Sequence, residues 1–108
     1  MVRRFASVIG LPAENAERYE RLHADVWPGV LERLRASHFT NYSIYRHDDL
    51  LFSYLEYAGD DFEADSAAIA ADPTTQEWWA VCMPLQRPVD GRADGEWWKD
   101  LPEVFHLD

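Results

Sequence analysis

The sequence predicts an α+β fold in which helices cover one face of an antiparallel sheet. Three observations predict it. Apolar and polar residues alternate, loosely at first, over Val2–Ile9, Phe39–His47 and Leu50–Tyr57, which is the period of a strand. Apolar side chains at helical spacing occupy the stretch Ala16–Leu34, and the alanine-rich Phe62–Ala71 and then Gln76–Met83 also read as helices. The resulting order of strand, helix, strand, strand, helix, strand is the ferredoxin-like βαββαβ pattern.

Each element has a local reason. The first strand breaks at Gly10-Leu11-Pro12, and Pro12 suits the first turn of a helix. Glu14 and Glu17 place negative charge near that helix's N-terminus, where the dipole favours it. Ala16, Tyr19, Leu22, His23, Val26, Trp27, Val30, Leu31 and Leu34 then predict one long amphipathic helix that fades at Ala36–His38. Pro28 lies inside it, removing a backbone hydrogen bond and crowding the Ala24 carbonyl, so a kink or a break is expected near Trp27-Pro28. Phe39–His47 and Leu50–Tyr57 flank Asp48-Asp49 as a hairpin whose turn lacks glycine. Tyr42 and Ile44 share one face of it, Ser43 and Tyr45 the other. Gly59–Asp61 ends the hairpin, and the alanine-rich Phe62–Ala71 reads as helix. Asp72 is a good cap before a first-position Pro73, with Thr74-x-x-Glu77 as a rival capping box. The helix they open stops near Pro84. A polar loop follows over Gln86–Gly95, and Glu103–Leu107 is expected as the closing strand.

Composition narrows the function classes. The chain of 108 residues is expected to form a single domain over residues 1–108, with no room for a separate cofactor-binding half. Twenty acidic and 10 basic side chains give a net charge of −10, so nucleic acid and anionic membrane surfaces are poor partners. No glycine-rich loop with a following lysine is present to cradle a polyphosphate. The single cysteine, Cys82, rules out an intrachain disulfide scaffold and reads as a small buried hydrophobe. With no signal-like apolar run and no stretch of membrane-spanning length, a cytoplasmic protein is expected. The surplus is aromatic: 5 Trp, 5 Tyr and 5 Phe, including the pairs Trp78-Trp79 and Trp97-Trp98. A sheet with one bare face would need a cover for some of these rings, and a homodimer pairing sheet against sheet supplies one.

Four histidines are candidates for proton transfer near neutral pH. His38 falls at a helix C-terminus, where an imidazolium complements the dipole, and His47 reads as a solvated turn residue. His106 lies between Phe105 and Leu107 with its role open. No paired ligand spacing suggests a metal site. His23 differs because Tyr19, His23 and Trp27 stand at i, i+4, i+8 and would line one stripe of an unbroken helix. That stripe is either an aromatic core or, where Pro28 opens a groove, an acid–base centre among aromatic walls. Trp78 and Trp79 point about 100° apart on a helix, so one can pack while the other reaches a cleft. Tryptophan joins an apolar face to one N–H donor, a combination that suits sugars. Trp97-Trp98 is expected at a subunit contact.

Together Tyr19-x-x-x-His23, Trp27-Pro28, Asn41-Tyr42-x-Ile44-Tyr45, Trp78-Trp79 with Met83-Pro84, and Glu103-Val104-Phe105-His106 resemble the L-rhamnose mutarotase family. The similarity runs from Arg3 to Leu107; the segment Gly91–Asp100 departs from the family pattern. The resemblance implies a homodimeric ferredoxin-like fold forming a dimeric α/β barrel. It also implies interconversion of the α and β anomers of L-rhamnose, a small neutral sugar, without cofactor or metal. Carried over position by position, it makes His23 the proton donor, and Tyr19, Tyr42, Trp78 and Trp79 the sugar-binding residues.

The implied chemistry is ring opening: the anomeric hydroxyl loses a proton, the ring oxygen gains one from His23, and Tyr19 or Tyr42 fixes hydroxyls and relays protons. Three other readings stand beside it. One is a mutarotase for another 6-deoxy sugar such as L-fucose. Another is a cofactor-free monooxygenase of the dimeric α+β barrel type, and the last a non-enzymatic ligand-binding dimer module whose tryptophans are interface anchors.

Overall fold

The computed structural model describes residues 2–108. Its regular elements are β1 (Arg3–Gly10), α1 (Ala16–His23), α2 (Pro28–Ala36), β2 (Phe39–His47), β3 (Leu50–Tyr57), α3 (Phe62–Ala71), α4 (Pro73–Cys82) and β4 (Lys99–Leu101). Short 3-10 turns at Ala13–Asn15 and Met83–Leu85 precede α1 and follow α4. The four strands form an antiparallel sheet in the order β2-β3-β1-β4, with β1 and β3 paired along their whole length from Arg3↔Tyr57 to Gly10↔Leu50. This is the expected α+β architecture, with β1 at the centre and both crossovers made of helices.

Strand period sorts the side chains between two faces. Phe5, Ser7 and Ile9 on β1 share the helix-covered face with Leu51, Ser53 and Tyr57 on β3. Ile9, Leu11, Tyr19, Val30, Leu51, Trp78 and Cys82 form the core there. A second cluster pins α3: Phe62 stacks on Phe5 at 4.6 Å between ring centroids and meets Tyr57 edge-on at 5.2 Å. The other face carries Ala6, Val8, Phe52, Tyr54, Tyr45 and Leu101 and has no helix over it.

Pro28 resolves the expected long helix into two. The helix ends at His23, four residues follow, and Pro28 begins α2 at the position where its missing N–H leaves no bond unmade. Trp27 is held extended (φ −57°, ψ 131°), as the residue before proline prefers. Trp27 therefore does not continue a stripe with Tyr19 and His23 on one helix, although its ring still meets Trp78 edge-on at 5.1 Å. Two aspartates cap the later helices, of which the sequence marks Asp72. Asp61 accepts from the Ala64 N–H at 3.1 Å to open α3, and Asp72 accepts from the Thr75 N–H at 2.9 Å to open α4. The Asp72-Pro73 start prevails over the Thr74-x-x-Glu77 alternative.

The hairpin turn works without glycine because Asp48 takes the left-handed conformation (φ 51°), which short polar side chains tolerate. A bulge lies between Thr40 and Ser43, where Asn41 is also left-handed (φ 46°). That one extra residue shifts the register so that Ile44 stands opposite Ser53 while Phe39 stands opposite Tyr57. Both ends of β2 thereby face the helices, and Tyr42 is aimed to the same side.

The closing strand is the one misplaced element. Glu103–Leu107 was expected to form it, but β4 is Lys99–Leu101, paired with Ala6–Val8 of β1. Pro102 gives the reason: it has no N–H to continue the ladder, so pairing stops at Leu101. Val104, Phe105 and Leu107 beyond it are exposed. No helix among the described residues is long and apolar enough to cross a membrane.

Candidate active site

The helix-covered face holds a cavity of about 330 Å³ bordered by Tyr19 and His23 of α1, Tyr42 and Ile44 of β2, and Trp78 and Trp79 of α4. Cys82, Met83, Gln86, Trp97 and Trp98 complete its wall. A second cavity of about 410 Å³ shares His23, Tyr42, Ile44, Trp78 and Trp79 with the first. It continues over the apolar side chains of Val26, Val30, Leu31, Leu34 and Ile69. Both are of ordinary size for a small-molecule site, roughly 300–1,000 Å³. All five site residues named from the sequence, Tyr19, His23, Tyr42, Trp78 and Trp79, border the first cavity.

His23 ends α1, one turn after Tyr19. Its Nδ1 lies 2.9 Å from the Tyr19 carbonyl oxygen, which can only accept, so Nδ1 carries the proton and donates it. The imidazole stacks on the Tyr19 ring at 4.1 Å between centroids and meets Trp78 edge-on at 5.2 Å. Burial lowers the His23 pKa from its ordinary 6.5, with the Tyr19 carbonyl opposing. His23 is thus neutral near pH 7, and Nε2 is its one uncommitted ring nitrogen, with a lone pair free to accept a proton.

The tryptophan pair divides as helix geometry requires. Trp78 is 6 % exposed and packs between His23 and Trp27, whereas Trp79 is 38 % exposed and stands at the edge of both cavities. Tyr42 extends from the bulge, and burial of its phenol raises its pKa. Tyr19 is raised further by burial, so both tyrosines are protonated and can donate a hydrogen bond. Cys82 lies behind them with its thiol pushed up to about 11 by burial, which makes it a hydrophobe rather than a nucleophile.

Two residues escaped the sequence reading as parts of this site. Gln86 donates through Nε2 to the Tyr19 hydroxyl at 3.0 Å, and Trp97 donates through Nε1 to Gln86 Oε1 at 2.7 Å. Trp97 and Trp98, for which the sequence suggested a subunit contact, pack half-buried against the core of their own chain and border the cavity. The remaining histidines lie elsewhere. His38 follows α2 with φ 66°, His47 sits exposed beside Asp48, and His106 pairs with Asp108 at 2.7 Å near the C-terminus. Among the described residues no group of three or more His, Cys, Asp or Glu side chains is placed to hold a metal ion.

Fold and site together define a small α+β protein with one neutral histidine in an aromatic-walled cavity, suited to acid–base work on a small uncharged ligand. The chain belongs to the L-rhamnose mutarotase family, whose profile matches residues 4–107. It is 37% identical to an L-rhamnose mutarotase from Opitutus terrae over the full length of both chains. It is 33% identical to one from Listeria monocytogenes, over 96% of this chain and 97% of that one. An L-fucose mutarotase from Xanthomonas campestris is also 33% identical, over 83% of this chain and 74% of its own. Among solved structures, the crystal structure of an L-rhamnose mutarotase from Formosa agariphila shares the fold. Its TM-score is 0.75 at 21% identity, covering 98% of this chain and 99% of that one.

Proposed function

We propose that this protein is an isomerase that interconverts the α and β anomers of L-rhamnose by opening and closing the sugar ring, with His23 moving the proton. The observation that carries the reading is the state of His23: neutral, locked by Nδ1 with Nε2 unbonded, and bordering an aromatic-walled cavity. Family membership supports the choice of sugar.

In the proposed step Nε2 takes the proton of the anomeric hydroxyl. The electron pair left on that oxygen forms the aldehyde double bond as the bond between the anomeric carbon and the ring oxygen breaks. The ring oxygen then takes the proton back from the imidazolium. Both oxygens are attached to the anomeric carbon, so one nitrogen can serve them in turn. Rotation of the aldehyde group and the reverse sequence give the other anomer. Atoms and charge balance with no redox change. Tyr19 and Tyr42 donate to sugar oxygens, Trp79 covers the C–H face of the ring, and Trp78 backs the imidazole. General acid–base help of this kind is typically worth about 10²–10⁴ in rate.

We also infer a cytoplasmic homodimer of the single domain, its bare sheet faces closed against each other as a dimeric α/β barrel. Support comes from Tyr45 and Phe52 on the face without helices and from the exposed Val104, Phe105 and Leu107 beyond β4. A second sugar deserves a place in the test, because the L-fucose mutarotase from Xanthomonas campestris matches at the same 33% identity as a rhamnose relative. NMR saturation transfer between the α and β anomeric protons of L-rhamnose, L-fucose, D-glucose and D-ribose, with and without protein, tests both. Faster exchange of L-rhamnose is expected; exchange of L-fucose alone would reassign the substrate, and acceleration of neither would overturn the reading.

A further inference from the structure

The proposed proton transfer leaves one part-buried connection unused: the tie from Trp97 through Gln86 to Tyr19. A glutamine amide can be turned either way, and its partners decide which. Indole offers an N–H and no acceptor, and Trp97 Nε1 lies 2.7 Å from Gln86 Oε1. That end of the amide is therefore the carbonyl, and the NH₂ faces the Tyr19 hydroxyl at 3.0 Å. Tyr19 Oη must accept this bond. Its own proton is left over, and no acceptor among the described residues takes it, while the ring borders the cavity.

The backbone on either side of Gln86 is anchored as well. Leu85 offers its carbonyl to Asn15 Nδ2 at 3.0 Å, and Arg87 exchanges two backbone hydrogen bonds with Gly10 at 2.7 and 2.8 Å. Gly10 permits that approach, since a Cβ there would stand 2.5 Å from the Arg87 carbonyl oxygen. The loop between Gln86 and Trp97 turns at Gly91 and Gly95, both at positive φ, and brings the indole back to the amide. A rigidly held amide can dictate the direction of a neighbour's hydrogen bond.

We propose that Gln86, oriented by Trp97, is a positioning residue that makes Tyr19 a fixed hydrogen-bond donor to an oxygen of the bound sugar, an inference that rests on the sugar reading above. The segment after α4 thus sets which way the Tyr19 proton points, and a ligand oxygen that can accept is favoured over one already committed as a donor.

Gln86→Glu tests this with almost no change of shape. The carboxylate still accepts from Trp97 but can only accept from Tyr19, so the tyrosine proton turns away from the sugar. L-Rhamnose anomer exchange at neutral pH should lose roughly tenfold in kcat/KM, the size of one hydrogen bond. Tyr19→Phe should lose a similar factor, and Gln86→Glu placed on Tyr19→Phe should add nothing, since the glutamine acts through that hydroxyl. Should the carboxylate variant fail to fold, Gln86→Met carries the same double-variant comparison. Full wild-type kcat/KM in the single variant would overturn the proposal, as would losses that multiply in the double variant. A wild-type protein that exchanges no sugar would instead overturn the functional reading and this proposal with it.

Discussion

His23 and Tyr19 hold each other twice, through the 2.9 Å bond from imidazole Nδ1 to the Tyr19 carbonyl and through ring stacking at 4.1 Å. The first contact fixes the tautomer and the second fixes the plane of the ring. A histidine on a helix end would otherwise sample several rotamers, and the proposed proton transfer needs Nε2 in one place. Both contacts follow from the i, i+4 spacing on α1, so the sequence contains them directly.

His23→Gln keeps a side chain of moderate size but removes the titratable nitrogen. Anomer exchange should fall by about 10²–10⁴, measured by saturation transfer on L-rhamnose. The melting temperature should change little, because His23 is only part-buried at the cavity wall. Exchange at the wild-type rate in this variant would remove His23 from the mechanism.

The pH dependence carries a definite sign. Burial lowers the His23 pKa below 6.5 in the folded chain, and the neutral imidazole is the form that accepts the anomeric proton. kcat/KM should stay level above pH 6.5 and decline as pH falls through the lowered value. Stability has the same direction, since the unfolded chain binds more protons at this residue than the folded one. The contribution of a neutral His23 is complete above pH 6.5 and is lost as pH falls through the folded pKa. Melting curves of wild type and His23→Gln across this range should converge on the alkaline side and separate on the acid side. A rate that climbs with acidity would mean that the imidazolium is the resting catalyst.

Trp78 and Trp79 are adjacent in sequence and should respond differently to the same substitution. Trp78→Ala empties a core position that is 6 % exposed and should cost about 3–5 kcal/mol of stability. Trp79→Ala removes a ring that is 38 % exposed at the cavity edge, so denaturant midpoints should shift far less. Its effect should appear in KM for the sugar. Urea unfolding alongside exchange kinetics separates the two, and equal destabilisation by both would contradict the assigned orientations.

Local signals wrote most of this fold. Pro28, Asp61, Asp72-Pro73 and the alternation around Asp48-Asp49 each act within a few residues, and each marks its element where the structure has it. The closing strand depended instead on which segment could reach β1, and Pro102 had to be read as a stop rather than passed over. The site divides the same way. Helical spacing singles out Tyr19, His23, Trp78 and Trp79 as core or cavity, and the family resemblance gives them roles. Gln86 does not, because its significance lies in contacts 67 and 11 residues away in the chain. Only the folded backbone brings positions 19, 86 and 97 together. The second tryptophan pair, following two turn glycines, was the one available hint that this loop returns to the site.

The bulge in β2 gives a backbone test of how Tyr42 reaches the cavity. Asn41 adopts φ 46° and donates through Nδ2 to Glu56 Oε1 at 2.9 Å. A β-branched residue tolerates the left-handed region poorly, so Asn41→Val should cost roughly 1–2 kcal/mol by thermal or chemical unfolding. Asn41→Gly accepts the conformation and should retain the register and most activity. If valine were as well tolerated as glycine, the bulge would not be fixing the direction of Tyr42.

The face of the sheet that no helix covers supplies the last expectation. Tyr45 stands opposite Phe52 there and is 65 % exposed, and Phe105 beyond β4 is 79 % exposed. Large rings left in water favour association, and a twofold pairing of identical faces buries each of them once on either side. Tyr45→Glu places a charge within such a contact, where it would be desolvated against an apolar partner. Light scattering coupled to size-exclusion chromatography should give twice the chain mass for the wild type and a shift toward the monomer for Tyr45→Glu. The cavity lies on the opposite face of the sheet, so His23 keeps its contacts with Tyr19 in the separated chain. A wild type that runs as a monomer at micromolar concentration would refute the paired sheets, whatever its activity.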